Sequence, residues 1–238
     1  MANYTAVFKR VEKKYLISEE QYQQLRERLE PYMNIDEYGL HTICNIYYDT
    51  DQYDLIRHSI EKPMYKEKLR VRSYGIPNAD SNVFVEIKKK YNGVVYKRRI
   101  SMKLNMVKPF VQGEGKHSDN SQIEKELKYF IQFYQPMPKQ FIAYDRIALY
   151  GKEDKEVRIT FDQNIRSRDR DLNLEDGDYG EYLLEKGQYL MEIKIAGAMP
   201  IWLARILSEL QIYPTSFSKY GNIYKKQYAG LQGGQKNV

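Results

Sequence analysis

Several residue types are scarce in this 238-residue sequence, and each scarcity excludes a class of protein. Cys44 is the single cysteine, so a disulfide framework is excluded. With 14 glycines and 8 prolines, the composition is neither collagen-like nor of low complexity. No apolar run approaches the roughly 20 residues that span a bilayer, and residues 1–15 lack the apolar core of a signal peptide. We therefore expect a cytoplasmic protein without a transmembrane segment.

The overall composition is that of a folded chain with a mild excess of positive charge. Hydrophobic residues make up 42% and charged residues 29%, which argues against disorder throughout. The 38 lysines and arginines exceed the 32 aspartates and glutamates, giving a net charge of +6. The 23 tyrosines favour β structure, because tyrosine suits the half-buried surface of a sheet. The length and the absence of a linker predict one domain.

Hydrophobic periodicity predicts an α+β protein rich in strands. A 3.6-residue period predicts helices at 18–29, 122–134 and 199–210. Ser18 and Gln21 form a capping-box pattern at the start of the first helix. A Gly/Gln-rich segment at 229–238 is predicted to be a disordered tail. Alternation of apolar and polar residues predicts strands at 7–16, 43–48, 64–74, 83–90, 94–103, 140–149, 156–162 and 182–195.

At least five of these strands carry charged residues at every second position. In 83–90, for example, Val83, Val85 and Ile87 alternate with Glu86 and Lys88. One interpretation is an antiparallel sheet with one face in water, which is common. The other is a sheet closed into a barrel, with its apolar faces outwards under helices and its charged faces lining a lumen.

The pair Asn92-Gly93 lies between two strand patterns and predicts a tight hairpin. A two-residue turn there places Lys88 opposite Lys97 and Glu86 opposite Arg99. We expect Glu86 to pair with Arg99 rather than to bind a metal. We also expect Asp162 to be an arginine partner, Tyr144 to be a packing residue and Cys44 to be a small buried side chain.

A lumen lined by so many cations requires water with counter-ions, or a ligand with many negative charges. Desolvating one unpaired charge costs several kcal/mol. Arginine binds phosphate oxygens as a bidentate fork, and lysine supplies a point charge. Glu12 and Glu192 on the same lining could hold a divalent metal that bridges phosphate oxygens. The cations are Arg10, Lys14, Arg70, Arg72, Lys88, Lys97, Arg99, Arg146 and Arg158.

Nine motifs in order give the sequence a family resemblance. They are RVEKKY (10–15), IYYDT (46–50), LRVRSYG (69–75), FVEIKKK (84–90), YKRRI (96–100), YDRIA (144–148), VRITFD (157–162), LMEIKI (190–195) and SFSKYG (216–221). The chain resembles the VTC (vacuolar transporter chaperone) catalytic domain. That domain is the ATP-dependent polyphosphate polymerase branch of the CYTH-like triphosphate tunnel metalloenzymes.

The resemblance implies a fold, a reaction and a set of site residues. The fold is a closed antiparallel β-barrel of about eight strands over residues 1–228, forming a tunnel with a basic lumen and flanked by helices. The reaction transfers the γ-phosphoryl group of ATP to inorganic polyphosphate, with Mn²⁺ or Mg²⁺. The family's phosphate-binding, catalytic residues correspond to Lys14, Arg70, Arg72, Lys88, Arg146, Arg158 and Lys219. Its metal ligand corresponds to Glu192. To these we add Arg10, Lys97, Arg99 and Lys194 as substrate-binding residues and Glu12 as a second metal ligand.

The first strand departs from the hydrolytic relatives. They carry Glu-x-Glu-x-Lys, whereas this chain has Arg10-Val11-Glu12-Lys13-Lys14, which favours the polymerase branch. Two alternatives remain open: a tripolyphosphatase or nucleoside triphosphatase of the same superfamily, and a non-catalytic polyphosphate-binding module. Nucleic acid is not an expected partner, because the basic positions alternate with aliphatic rather than aromatic residues.

Overall fold

A computed structural model describes residues 11–92, 94–114 and 121–232. Within these ranges the protein is α+β, with ten strands and six helices. The strands are β1 (Val11–Ser18), β2 (Met33–Ile35), β3 (His41–Asp49), β4 (Tyr65–Tyr74), β5 (Asn82–Tyr91), β6 (Val94–Lys103), β7 (Met137–Gly151), β8 (Arg158–Arg168), β9 (Glu181–Tyr182) and β10 (Gln188–Ile195). The helices are α1 (Glu19–Leu29), α2 (Asp54–Ile60), α3 (Leu104–Val111), α4 (Gln122–Tyr134), α5 (Ile201–Glu209) and α6 (Lys219–Gln232).

The strands belong to one antiparallel sheet. Their order is β1-β10-β8-β7-β3-β4-β5-β6, with β2 beside β7 and β9 beside β8. Eight strands therefore lie on the main path, and two short strands lie off it. Among the described residues the two end strands, β1 and β6, are not hydrogen-bonded to each other. The antiparallel sheet is confirmed, and its closure into a barrel stays a prediction.

The described residues form two compact units, each with its own core. Unit 1 contains residues 11–41, 145–165 and 184–217, and unit 2 contains the remainder. Parts of β7 and β8 belong to each unit.

In unit 1, the apolar faces of β1, β8 and β10 pack with α1 and α5. Tyr15, Phe161 and Met191 are fully buried here, together with Leu25 of α1 and Leu203 of α5. The predicted start of α1 is confirmed. The Ser18 hydroxyl accepts from the Gln21 amide at 3.2 Å, and the Gln21 side chain accepts from the Ser18 amide at 3.1 Å.

In unit 2, the apolar faces of β3–β6 pack with α3 and α4. Leu69, Val85 and Ile87 are buried against Leu127 and Phe130 of α4. The helix predicted at 122–134 is confirmed with the same bounds. Cys44 is fully buried in this core, as predicted.

Three helices and two short strands were not predicted from the sequence. The strands are β2 and β9, of three and two residues. Helix α2 has only seven residues, and its first turn is capped from a distance: both carboxylate oxygens of Asp49 accept backbone hydrogen bonds, from Leu55 at 2.9 Å and Ile56 at 3.0 Å. Helix α3 contains Pro109, which sequence rules read as a helix breaker.

Several predicted segments differ from the structure at their bounds; the strand predicted at 156–162, for example, is Arg158–Arg168. Strand β10 begins at Gln188, not at 182, because Gly187 precedes it with a positive φ of 81° that an extended strand does not allow. Helix α6 continues to Gln232, into the predicted tail 229–238. Residues 233–238 lie outside the described residues. No described helix is both long enough and apolar enough to cross a membrane.

Replacing Ser18 by alanine should destabilise the protein by about 1 kcal/mol, because the α1 capping box loses its acceptor for a backbone amide. Urea unfolding, followed by far-ultraviolet circular dichroism, measures the change. Ser18→Asp keeps a capping oxygen and serves as the matched control. Equal stability of the alanine and wild-type proteins would contradict a capping role for Ser18.

Candidate functional site

One face of strands β4, β5 and β6 in unit 2 is strongly cationic, and we call it the cationic face. Strand pairing places Lys68, Lys88 and Lys97 side by side in one row. A neighbouring row pairs Lys66 with Lys90. The pairing of Lys88 with Lys97 and of Glu86 with Arg99 confirms the register predicted from the hairpin.

On this face, positive charges greatly outnumber negative ones. Directly opposed like charges destabilise a sheet, so the rows of lysines are held at a cost. Burial lowers the pKa of Lys66, and the nearby ammonium groups of Lys90, Lys62 and Lys88 lower it further. The register gives eight cations, namely Lys66, Lys68, Arg70, Arg72, Lys88, Lys90, Lys97 and Arg99, and one carboxylate, Glu86.

Glu86 is the centre of the ion pairs on this face. Its side chain is only 2% exposed and lies 2.7 Å from the Arg70 guanidinium and 2.8 Å from the Lys97 ammonium. Burial by itself raises the pKa of Glu86, but the charges of Arg70, Arg72 and Lys97 lower it to about 2. Glu86 therefore stays ionised as the internal counter-ion of the cationic face.

Arg70 and Arg72 are held in place by neutral side chains as well. Arg70 donates to the Tyr47 hydroxyl at 3.1 Å. Arg72 donates to Asn45 Oδ1 and to the Tyr144 hydroxyl, each at 2.9 Å. Tyr144, predicted to be a packing residue rather than a catalytic acid, is buried and also orients Arg72. Both guanidinium groups are thus fixed before any ligand binds.

The predicted pairing of Glu86 with Arg99 is wrong about the partner. Although the two residues are opposite in register, the Arg99 guanidinium lies 4.5 Å from the centre of the Phe84 ring. Lys97 takes the Glu86 oxygen instead. Partial burial lowers the pKa of Lys97 to about 8; Glu86 opposes this shift, and Arg70 adds to it.

Lys219 also belongs to unit 2. It is the first residue of α6, is only 9% exposed, and places its ammonium 4.4 Å from the centre of the Tyr144 ring. The neighbouring Ser218 hydroxyl accepts a hydrogen bond from Lys68 at 3.3 Å. By sequence pattern alone Lys219 resembles an ordinary loop lysine, because the helix that it begins was not predicted.

Unit 1 carries a face in which positive and negative charges alternate, formed by β1, β10 and β8; we call it the mixed face. One row contains Lys14, Glu192 and Thr160, and the next contains Glu12, Lys194 and Arg158. Arg10, predicted to lie on the same face, is outside the described residues.

The charged groups of the mixed face contact one another. The Lys14 ammonium is 3.3 Å from Glu192 and 3.8 Å from Glu12, and it donates to the Phe217 carbonyl at 3.0 Å. The second oxygen of Glu192 is 3.3 Å from the Lys194 ammonium. Each oxygen of Glu192 therefore contacts a lysine: one contacts Lys14 across the sheet and the other Lys194 two residues along β10.

Arg146 on β7 forms a bidentate ion pair with Asp162 on β8, at 2.6 and 2.8 Å. Asp162 is fully buried, and the pair confirms its predicted role as an arginine partner. The carboxylate balances much of the positive charge that Arg146 was expected to offer to phosphate. A phosphate-binding role for Arg146 stays a prediction.

Among its described residues, the mixed face offers a metal ion two carboxylates, those of Glu12 and Glu192, rather than a complete set of protein ligands. The described part of the chain contains no group of three or more His, Cys, Asp or Glu side chains placed to hold a metal. Glu12 and Glu192, however, both approach the Lys14 ammonium, so both can reach one cation. Such a pair suits Mg²⁺-type ions, which take one or two carboxylates and complete their shell with phosphate oxygens and water.

These features define an α+β protein with an antiparallel sheet. Strands β4, β5 and β6 carry the cationic face, and strands β1, β10 and β8 carry the mixed face. The VTC domain family matches residues 9–228 of the sequence. The chain belongs to this family, which confirms the resemblance drawn from the nine motifs.

Two solved structures share the fold. A candidate adenylate cyclase from Bacillus halodurans is 16% identical, with a TM-score of 0.55 over 88% of this chain and 95% of that chain. A candidate adenylyl cyclase from Hippeastrum, which has a dominant triphosphatase activity, is 17% identical, with a TM-score of 0.54 over 92% and 96%. No match was found among curated proteins.

Replacing Glu86 by glutamine should lower the free energy of unfolding by about 3 kcal/mol, because it leaves buried cations without their counter-ion. The effect should depend on pH. The folded-state pKa of about 2 lies below the ordinary glutamate value, so the stabilisation is complete above about pH 4.3 and is lost as the pH falls through 2.

Urea unfolding of both proteins between pH 3 and pH 7 measures this difference. Glu209→Gln is the control, because its ion pair with Arg28 is exposed and should contribute less than about 1 kcal/mol. A Glu86→Gln protein as stable as wild type at pH 7 would contradict the counter-ion role.

Proposed function

We propose that this protein is an ATP-dependent polyphosphate polymerase, which transfers the γ-phosphoryl group of ATP to the end of a polyphosphate chain and releases ADP. Membership of the VTC domain family supports this reaction. The observation that carries the proposal is the cationic face, where the strand register places eight cations and one carboxylate on the same side of three strands. A face with this excess of charge needs a polyanion, and chains of phosphate are polyanions.

In this proposal the cationic face clamps phosphates. Arg70 and Arg72 are already oriented by Tyr47, Asn45 and Tyr144, so little reorganisation is needed when phosphate oxygens bind. The row containing Lys88 supplies point charges along the chain. Lys219 completes this set, while Lys97 and Arg99 contact the substrate.

The mixed face would bind the metal and further phosphates. Lys14, Arg146, Arg158 and Lys194 are the proposed phosphate contacts, together with Arg10. Glu192 and Glu12 would hold Mn²⁺ or Mg²⁺. When bound, such an ion neutralises charge on the phosphate oxygens. The closed tunnel implied by the family belongs to the same proposal.

The transfer needs no strong general base. A terminal phosphate is already largely ionised near neutral pH, and phosphoryl transfer depends mainly on positioning and charge stabilisation. This agrees with the histidines: His41 and His58 contact the Gly39 and Tyr65 carbonyls, and neither lies on the charged faces. His117 is outside the described residues.

A triphosphatase is the second candidate, supported by the activity of the similar Hippeastrum protein. A non-catalytic polyphosphate-binding module is the third. Incubation with ATP and Mn²⁺ or Mg²⁺, followed by a denaturing gel stained for polyphosphate and assays of ADP and orthophosphate, distinguishes all three. Long polyphosphate chains together with ADP would support the polymerase, and orthophosphate without chains would support the triphosphatase. If neither ATP nor tripolyphosphate is turned over, the result would support the non-catalytic binding module.

Lys88→Ala should reduce chain synthesis on the order of 10²-fold, since a preorganised charge on the transferring phosphates is lost. Lys89→Ala is a matched control. Lys89 is the next residue of β5 but contacts Glu67 and Glu126 on the opposite face, at 3.5 and 3.6 Å. Initial rates at saturating ATP measure both effects. Equal losses in the two variants would contradict a specific role for Lys88.

Glu192→Gln should weaken Mn²⁺ binding at least tenfold and abolish synthesis, because the side chain loses the charge that attracts the ion. Electron paramagnetic resonance of free Mn²⁺ measures the binding directly. Glu153→Gln, at an exposed loop position, is the control. Tripolyphosphate binding in EDTA should persist in Glu192→Gln. Unchanged Mn²⁺ affinity would reject Glu192 as a metal ligand.

A further inference from the structure

Thr160 on β8 is a buried residue whose hydroxyl has no hydrogen-bond partner in the part of the chain that the structure describes. The residue is 8% exposed, and its Oγ1 makes no hydrogen bond within the described ranges. Most buried polar groups in folded proteins are hydrogen-bonded, because an unpaired group loses its contacts with water and gains nothing in return. The unpaired hydroxyl of Thr160 therefore requires an explanation.

The position of Thr160 provides one. Strand pairing sets it directly opposite Glu192, whose other neighbour across the sheet is Lys14. Its sequence neighbours Ile159 and Phe161 are buried in the core of unit 1. Because side chains alternate along a strand, the Thr160 hydroxyl lies on the mixed face, beside the charged groups.

Most of the side chains around this hydroxyl are hydrogen-bond donors, although Lys14 already contacts Glu12, Glu192 and the Phe217 carbonyl. Lys14 and Lys194 can only donate hydrogen bonds, and each is 3.3 Å from Glu192. Arg158, in the next row beside Lys194, also only donates. The Thr160 hydroxyl adds one more donor. An anionic oxygen that accepts several hydrogen bonds would satisfy these groups together.

We propose that the Thr160 hydroxyl donates a hydrogen bond to a phosphate oxygen of the bound triphosphate or polyphosphate. The proposal rests on the proposed function and adds a neutral residue to its phosphate contacts. A hydroxyl fixes the position of one oxygen without adding charge, whereas the flexible lysines beside it supply charge without a fixed geometry. Thr160 is in this sense a positioning contact for the chain.

Thr160→Val tests the proposal, because valine keeps the shape and removes the hydroxyl. Isothermal titration of tripolyphosphate in EDTA should give a Kd about tenfold weaker than that of wild type, since the lost hydrogen bond is to a charged group. Thr160→Ser keeps the hydroxyl and should stay within about threefold. The salt dependence of binding should be the same in all three proteins, because no charge changes.

Urea unfolding without ligand measures the free energy of unfolding of Thr160→Val. If the hydroxyl had only a structural role, removing it would lower this free energy. Thr160→Val should be at least as stable as wild type, because an unpaired buried hydroxyl has been removed. A clear loss of stability would show that the hydroxyl is satisfied within the fold, and would overturn the proposal.

The binding results separate this proposal from the proposed function. If wild type binds tripolyphosphate and Thr160→Val binds equally well, the role of Thr160 is wrong and the phosphate site stands. If the valine variant is weaker only when Mn²⁺ is present, the hydroxyl acts on the metal and the phosphate contact is overturned. If wild type binds no tripolyphosphate with or without metal, the proposed function fails, and the Thr160 proposal fails with it.

Discussion

The pairing of Glu86 with Arg70 and Lys97 is the interaction on which the cationic face depends. Three adjacent strands present eight cations and one carboxylate, and that carboxylate is almost completely buried between two of the cations. Without it, only hydrogen bonds to neutral side chains, such as that of Arg70 to Tyr47, would offset the repulsion between the cations and the cost of desolvating them. With it, the arginines are fixed, and the three strands still present seven more cations than carboxylates on this face. In the proposed function this excess of positive charge preorganises the face for a polyanion, at a cost in stability.

The mixed face of unit 1 follows a different rule. Each of its carboxylates lies beside a lysine, as Glu192 does with Lys14 and Lys194, and Arg146 is balanced by Asp162. Such a face holds little net charge, so it is suited to fixing positions rather than to attracting anions. Among the buried side-chain atoms that the structure describes on this face, the Thr160 hydroxyl oxygen has no hydrogen-bond partner, and the proposed phosphate contact would supply one.

The parts of the site that could be predicted are those set by neighbours along the chain. The Asn92-Gly93 pair predicts a two-residue hairpin, and the observed register of β5 and β6 agrees with it, so Lys88 was placed opposite Lys97 correctly. The ion-pair partner of Glu86 was predicted wrongly, because the register fixes the positions of the Cβ atoms but not the conformations of long side chains. Arg99 stacks on Phe84, and Lys97 reaches the carboxylate. The roles of Asn45 and Tyr144 could not be predicted, since each orients Arg72 from a residue distant in sequence.

Three features could be predicted from the amino-acid sequence alone: the alternation of charged and apolar faces, the capped start of α1 and membership of the VTC domain family. These features depend on the two-residue period of a strand, on local capping chemistry and on the order of motifs. They do not depend on which strands become neighbours in the sheet. Four others became visible in the three-dimensional fold: Glu86 is the counter-ion, Asp49 caps α2, Lys219 begins a helix, and the Thr160 hydroxyl has no hydrogen-bond partner among the described residues. These features depend on burial and on side-chain contacts between segments that are far apart in the chain. Neither can be predicted from the residues that are neighbours in the sequence.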